Sequence, residues 1–183
     1  MKVRLFVATE IDERIRQKLV EFRDDLKKAD AGVGWIAPEN LHITLKFIGY
    51  LDQSKIDDAV QIIRDVVTHV KPFDLDYSGV GVFPTRKNPR VVFAQVIDAG
   101  KTLAKIQEML DNQLAELGVP HDDRRFESHL TVGRIKTRRN VHKLMEKLDT
   151  YHEFYFGLEH VSQVVLMKSD LSSEVPIYTK LQS

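Results

Sequence analysis

Apolar residues recur along this chain with two different periods, and the switches between them mark out its elements. Residues 3–9 are rich in strand formers, and a helical stretch follows in which Ile15, Leu19, Phe22 and Leu26 fall three or four apart, with charges on the other face. Gly32 and Gly34 stop that helix. Trp35-Ile36-Ala37-Pro38-Glu39-Asn40 then leads into a second strand, Leu41 to Ile48, closed by Gly49. Helical spacing returns over 54–69 through Ile56, Val60, Ile63 and Val67, and alternation over 73–83 predicts a third strand ending at Pro84.

The same order then comes round again. Residues 91–96 read as a strand, and 100–117 as a helix carrying Leu103, Ile106, Leu110, Leu114 and Leu117, stopped by Gly118 and Pro120. Strands are expected at His129–Ile135 and Val161–Met167, a helix near 140–149, and a short last strand from Ile177 to Leu181. One shift of 87 residues carries His42 to His129, Thr44 to Thr131, Phe6 to Phe93 and Leu19 to Ile106. We therefore read two β-α-β-α-β units of one type, roughly 1–86 and 87–183, joined at Arg86-Lys87-Asn88-Pro89. Connections this short, with no Gly-rich phosphate fingerprint, do not suit a dinucleotide-binding fold. The expected fold is α+β: a single domain of two pseudo-symmetric lobes, with mainly antiparallel sheets facing a central cleft and helices outside.

Composition narrows the chemistry. The 183 residues are 43% hydrophobic and 30% charged, enough for a packed core. Cysteine is absent, which excludes disulfides, thiolate nucleophiles and Cys-ligated metals. Lys plus Arg and Asp plus Glu number 27 each, so a polybasic mode of nucleic-acid binding is excluded, although a local patch is not. The first residues reach Glu10 too soon for a signal peptide, and no apolar run approaches the ~20 residues of a membrane span. A cytoplasmic protein with no membrane partner is expected.

Candidate chemistry lies in His42-Ile43-Thr44-Leu45 and His129-Leu130-Thr131-Val132. This composition leads one to expect ~0.06 copies of His–apolar–Thr–apolar by chance, so two copies on equivalent elements carry a strong signal. In a strand, His and Thr at i and i+2 share one face while the apolar residues enter the core. Two imidazoles meeting across a cleft suit displacement at phosphorus, one taking a proton from the attacking oxygen and the other giving one to the leaving oxygen. Thr44 and Thr131 hydroxyls suit the non-bridging phosphate oxygens. Neither motif brings the acidic set of a hard-metal site, although Glu127 shares the face of His129, and no metal or cofactor is expected. Residues 124–143 hold Arg124, Arg125, Arg134, Lys136, Arg138, Arg139 and Lys143 against the single acid Glu127. Such charge attracts a phosphodiester strand and should favour the neutral form of His129, although Lys46 is expected on the face of His42. Trp35 and Phe126 precede the motifs and suit core or cleft-wall packing, or else base stacking. The remaining histidines read as solvated, with His69 at a helix C-terminus.

Trp35-x-x-Pro-x-Asn-Leu-His42-Ile-Thr-Leu-Lys-Phe-Ile-Gly49 and Phe126-x-x-His129-Leu-Thr-Val-Gly-Arg134, with Gly81-Val-Phe-Pro84 and Pro89-Arg90-Val91 between them, resemble the two-histidine phosphoesterases, in particular the RNA 2′,3′-cyclic phosphodiesterases, also called 2′-5′ RNA ligases. Ser128 departs from the Pro that many members carry there. The resemblance implies hydrolysis of an RNA or nucleotide 2′,3′-cyclic phosphate end to a 2′-phosphate, with His42 as proton donor and His129 as proton acceptor. Thr44 and Thr131 then bind phosphate, and Lys46, Arg90, Phe126 and Arg134 are candidates for contacting substrate. Two alternatives stay open: the reverse 2′-5′ ligation of RNA, as in joining tRNA halves, and a module that binds RNA or a nucleotide without turning it over.

Overall fold

The structure is a computed structural model that describes residues 1–161, 163–172 and 176–182. In chain order the elements are β1 (Lys2–Thr9), α1 (Glu13–Lys27), β2 (Val33–Trp35), β3 (Ile43–Asp52), α2 (Ile56–Thr68), β4 (Phe73–Thr85), β5 (Asn88–Ile97), α3 (Thr102–Leu114), β6 (His129–Ile135), α4 (Val141–Asp149), β7 (Tyr155–Val161), β8 (Val165–Asp170) and β9 (Ile177–Gln182). The helices bury the faces their spacing predicts: Ile15, Leu19, Phe22 and Leu26 on α1, and Leu103, Ile106, Leu110 and Leu114 on α3. Asp12 caps α1 by accepting the Arg14 backbone N–H at 2.7 Å. Beyond α3 a short 3-10 turn, Ala115–Leu117, ends at Gly118, whose φ of 84° is a conformation glycine adopts without strain.

Two antiparallel sheets form, ordered β3-β1-β8-β9 and β2-β6-β5-β4-β7. The pseudo-twofold is visible in β3-β1-β8 and β6-β5-β4. The sheets do not sort by sequence half, however. β4 leaves the first half to pair with β5, and β8 leaves the second half to pair with β1. Each sheet thus includes two strands from the other half, β8 and β9 in one and β2 and β4 in the other, which corrects the picture of lobes built separately from 1–86 and 87–183. The physical reason lies at residues 86 and 87, which form the tight turn of a β4–β5 hairpin, with Thr85 opposite Asn88, instead of a connection between lobes.

Three strand predictions need adjustment. Val33–Trp35, too short to show alternation, pairs with β6 as an edge strand. The strand expected over Val161–Met167 is the end of β7 and the start of β8, which lie in different sheets; Ser162 lies outside the described residues. Gly49 does not close β3, which runs through it to Asp52 with a bulge at Ile48, between Phe6↔Phe47 and Leu5↔Gly49.

One hydrophobic core, drawing on all four helices and both sheets, fills the helix side. β1 is buried on both faces: Leu5 and Val7 enter that core, while Phe6 and Ala8 pack with Val165 on the opposite side, where the cleft lies. No helix among the described residues is long and apolar enough to cross a membrane.

A buried ion pair ties the halves together. Lys46 on β3 is 1% exposed, and its ammonium donates to Asp111 of α3 at 2.5 Å and to the Pro120 carbonyl at 2.8 Å, with Asp122 at 3.1 Å. His121, expected to be merely solvated, also reaches Asp111, at 2.6 Å. Burial works to raise the Asp111 carboxyl, but the Lys46 ammonium, His121 and the Asp122 N–H overcome it and hold the group at about 2. A folded value below the unfolded one makes this contribution complete above the ordinary 3.8 and progressively lost as pH falls toward 2. Lys46→Ala is expected to cost roughly 3 kcal/mol, because it strands the carboxylates, and to flatten that acid dependence. Urea titrations at pH 7 and pH 3 measure both effects.

Candidate active site

Each motif strand presents its histidine through the same local device. A 3-10 turn, Pro38–Asn40, precedes His42, and the Asn40 carbonyl accepts the His42 Nδ1–H at 2.7 Å. At the equivalent place in the other half, the Glu127 carbonyl accepts the His129 Nδ1–H at 2.7 Å. A carbonyl only accepts, so Nδ1 carries the hydrogen in both rings and Nε2 is left for the cleft. In the neutral ring His42 Nε2 is an acceptor, and the Thr44 hydroxyl donates to it at 2.9 Å.

Aromatic rings hold both imidazoles in place. Phe6 lies against His42 with centroids 4.9 Å apart, and Tyr178 meets the same ring edge-on at 5.4 Å. Phe93, the counterpart of Phe6 under the 87-residue shift, meets His129 at 5.6 Å, and Phe83 at 5.0 Å. Phe83 and Phe93 stack at 4.2 Å, which requires glycine at 81: a Cβ there would lie 2.5 Å from the Phe93 ring.

A bulge follows each motif and decides which later side chains reach the cleft. Val7 pairs with Lys46 but Ala8 with Thr44, leaving Leu45 extra; Val92 pairs with Gly133 but Phe93 with Thr131, leaving Val132 extra. The bulge reverses the alternation. Lys46 therefore turns into the helix side, where Asp111 holds it, and the expectation that it shares the face of His42 is corrected. Phe47 and Arg134, equivalent positions one residue further on, turn toward the cleft instead. Gly133 falls on the packed side, where a Cβ would lie 2.8 Å from Trp35, so Trp35 packs against the core and not in the cleft.

His42, Thr44, His129, Thr131 and Arg134 line one cleft of about 500 Å³. Arg4, Phe47, Asn40 and Tyr178 line it too. Sequence reasoning missed all four, although Arg4 stands two residues before Phe6 and period two puts them on one face. Arg4 donates to Ser169 Oγ at 2.9 Å, and Phe47 is 53% exposed. Buried Asn40 donates to the Pro176 carbonyl at 2.7 Å. Two predicted substrate residues lie elsewhere. Phe126, in the loop before β6, is half-buried and lines a separate groove with Arg124 and Arg125. Arg90, one position short of Val91 opposite Arg134, lines another groove with Lys136 and Arg138. Among the described residues no three His, Asp or Glu side chains form a group able to hold a metal.

Electrostatics separate the rings in a way the sequence did not suggest. Burial pushes His42 below the ordinary histidine value; the Asn40 hydrogen bond opposes this, and the positive charge of Arg134 adds to it. The basic stretch thus bears on the first histidine, across the cleft, where the sequence pointed to His129. Arg134→Gln should raise the His42 titration midpoint, read from its ring resonances by NMR; an unchanged midpoint would mean that Arg134 does not bear on the ring.

Residues 11–171 match the family described as the 2′-5′ RNA ligase superfamily. A curated protein of Methanothermobacter thermautotrophicus named RNA 2′,3′-cyclic phosphodiesterase is 38% identical over 182 residues, covering 100% of this chain and 98% of its own length. One of the same name from Archaeoglobus fulgidus is 35% identical over 180 residues, covering 98% of each chain. Among solved structures, a protein of Thermus thermophilus superposes with a TM-score of 0.81 at 27% identity, covering 98% of this chain and 95% of its own. E. coli LigT complexed with 3′-AMP shares the fold, with a TM-score of 0.72 at 22% identity, covering 99% and 95%.

Proposed function

This chain belongs to the 2′-5′ RNA ligase superfamily, and from that premise we propose that it hydrolyses RNA 2′,3′-cyclic phosphate ends to 2′-phosphates by acid–base catalysis between His42 and His129. The observation that carries the reading is the paired device: two imidazoles on one cleft, each with Nδ1 tied to the carbonyl two residues upstream and Nε2 left for substrate.

In the reaction a water oxygen forms a bond to phosphorus while the bond from phosphorus to the 3′ oxygen breaks. His129 Nε2 takes the water proton, and His42 Nε2 gives a proton to the departing 3′ oxygen. The two rings exchange protonation states in one turnover and reset through solvent. Thr44 and Thr131 hydroxyls donate to the non-bridging oxygens, with the Arg134 and Arg4 guanidinium groups opposite their charge. His42 must be cationic to act as the acid, yet burial keeps it neutral in the free protein. The substrate supplies the remedy. At an effective dielectric constant of about 20, a unit negative charge ~4 Å away favours the imidazolium by about 4 kcal/mol, in opposition to the effect of burial. Once Thr44 turns its hydrogen to the phosphate, His42 Nε2 is free to carry one as well. Phe47, exposed at the mouth, offers a face for the terminal base.

Hydrolysis and 2′-5′ ligation pass through one transition state, and the name phosphodiesterase carried by the curated relatives favours hydrolysis. The intact pair of His-x-Thr motifs argues against a module that only binds. Phosphorus NMR of a nucleoside 2′,3′-cyclic phosphate with the protein in EDTA is expected to show the 2′-monoester appearing. His42→Ala and His129→Ala should each lower kcat at least ~100-fold with the fold intact by circular dichroism. Near-normal turnover in either variant would overturn the paired mechanism. Phe47→Ala should raise KM several-fold and leave kcat nearly unchanged, as loss of a stacking face requires.

A further inference from the structure

A second groove begins where the cleft ends. Arg134 lines the cleft, and the next residues of the chain, Ile135 at the end of β6 and Lys136 just beyond it, line a neighbouring groove of about 510 Å³. Its other side is the tip of the β4–β5 hairpin, with Lys87 and Arg90, and its floor reaches Arg138 and the start of α4 at Val141. Four cations line it and no acid does. Their charge is also unspent: among the described residues, none of Lys87, Arg90, Lys136 and Arg138 is in an ion pair, whereas the adjacent Arg86 and Arg139 are held by Asp149 at 2.6 Å and Asp30 at 2.8 Å. The two arginines at the rim are neutralised and the four residues inside are not. In a chain whose formal net charge is zero, such a concentration makes a local field that attracts an anion. The groove lies between the hairpin and the end of β6, and its lining begins at Ile135, the residue after Arg134 of the cleft.

We propose that this groove binds the backbone phosphates of the RNA chain leading up to the cyclic end, so that the protein is built for polynucleotide ends and not only for mononucleotides. The choice of which RNA segment lies there rests on the hydrolase reading of the cleft; the binding of a single-stranded polyanion does not. Lys136 and Arg138, with Lys87 across from them, contact phosphates and not bases, so affinity is tolerant of sequence and sensitive to salt.

The test uses the full chain and the triple variant Lys87→Gln/Lys136→Gln/Arg138→Gln, with two readouts. For fluorescence anisotropy the probe is a labelled single-stranded RNA ten-mer with a 3′-hydroxyl end, titrated at several salt concentrations. Wild type is expected to bind with a salt slope that falls by about 2 in the variant, at ~0.7 per lost phosphate contact. For turnover, the same ten-mer ending in a 2′,3′-cyclic phosphate is compared with a nucleoside 2′,3′-cyclic phosphate. The variant should lose roughly tenfold or more in kcat/KM on the ten-mer and stay within about twofold on the nucleotide. Equal salt slopes for the two proteins, or equal losses on both substrates, would overturn the groove. Absence of nucleotide hydrolysis by wild type would instead overturn the cleft reading, and the anisotropy result would still decide the groove.

Discussion

The exchange of strands between the two halves is the constraint on which the rest of the molecule depends. β1 is the centre of its sheet only because β8 pairs with it, and β5 is the centre of the other only because β4 does. Neither half can bury both faces of its central strand alone. Phe6 illustrates the point: it is buried because Ala8, Val165 and Tyr178 surround it, and Val165 and Tyr178 come from the far end of the chain. The rings that hold the two motif imidazoles are thus anchored by long-range pairing, and the two motif strands face one cleft because both sheets share one core. The Lys46–Asp111 pair closes the same bond between halves from the helix side, and it pins the loop whose Glu127 carbonyl orients His129.

Legibility in the sequence follows the range of the interaction concerned. The helix faces were readable because their spacing is local, and the buried apolar residues of α1 and α3 are ones the spacing named, although Arg23 of α1 is buried as well. The two His-x-Thr motifs were readable because both members sit within one stretch of strand, before any bulge. Lys46 was misplaced because a bulge at Leu45 leaves no mark in an alternating pattern: Leu45 is apolar whether it is an extra residue or an ordinary inward one. Arg134 reached the cleft through the same device, so period two alone puts it on the wrong face although the motif's neighbourhood named it. The hairpin at 86–87 was read as a link between lobes because strand exchange is a tertiary choice, and no local pattern distinguishes a strand that stays from one that crosses. Arg4, by contrast, could have been found from its two-residue spacing to Phe6.

Symmetry raises a chemical problem that this structure resolves. Two identical half-sites would hold two identical histidines, and acid–base displacement needs one ring charged and the other neutral. The backbone device is the same in both halves, so the difference must come from what surrounds it. Burial of His42 is the larger part of it, and one position adds to it, the residue released by the bulge: Phe47 in the first half and its counterpart Arg134 in the second. The aromatic ring gives one side of the mouth an apolar face suited to a base, and the guanidinium gives the other a charge suited to phosphate. That same charge acts across the cleft on His42. In the proposed mechanism a bound phosphate pairs with Arg134 and offsets its effect on His42 in one event. The repeat thus supplies the paired geometry, and the re-aimed position is one place where the two half-sites differ in charge.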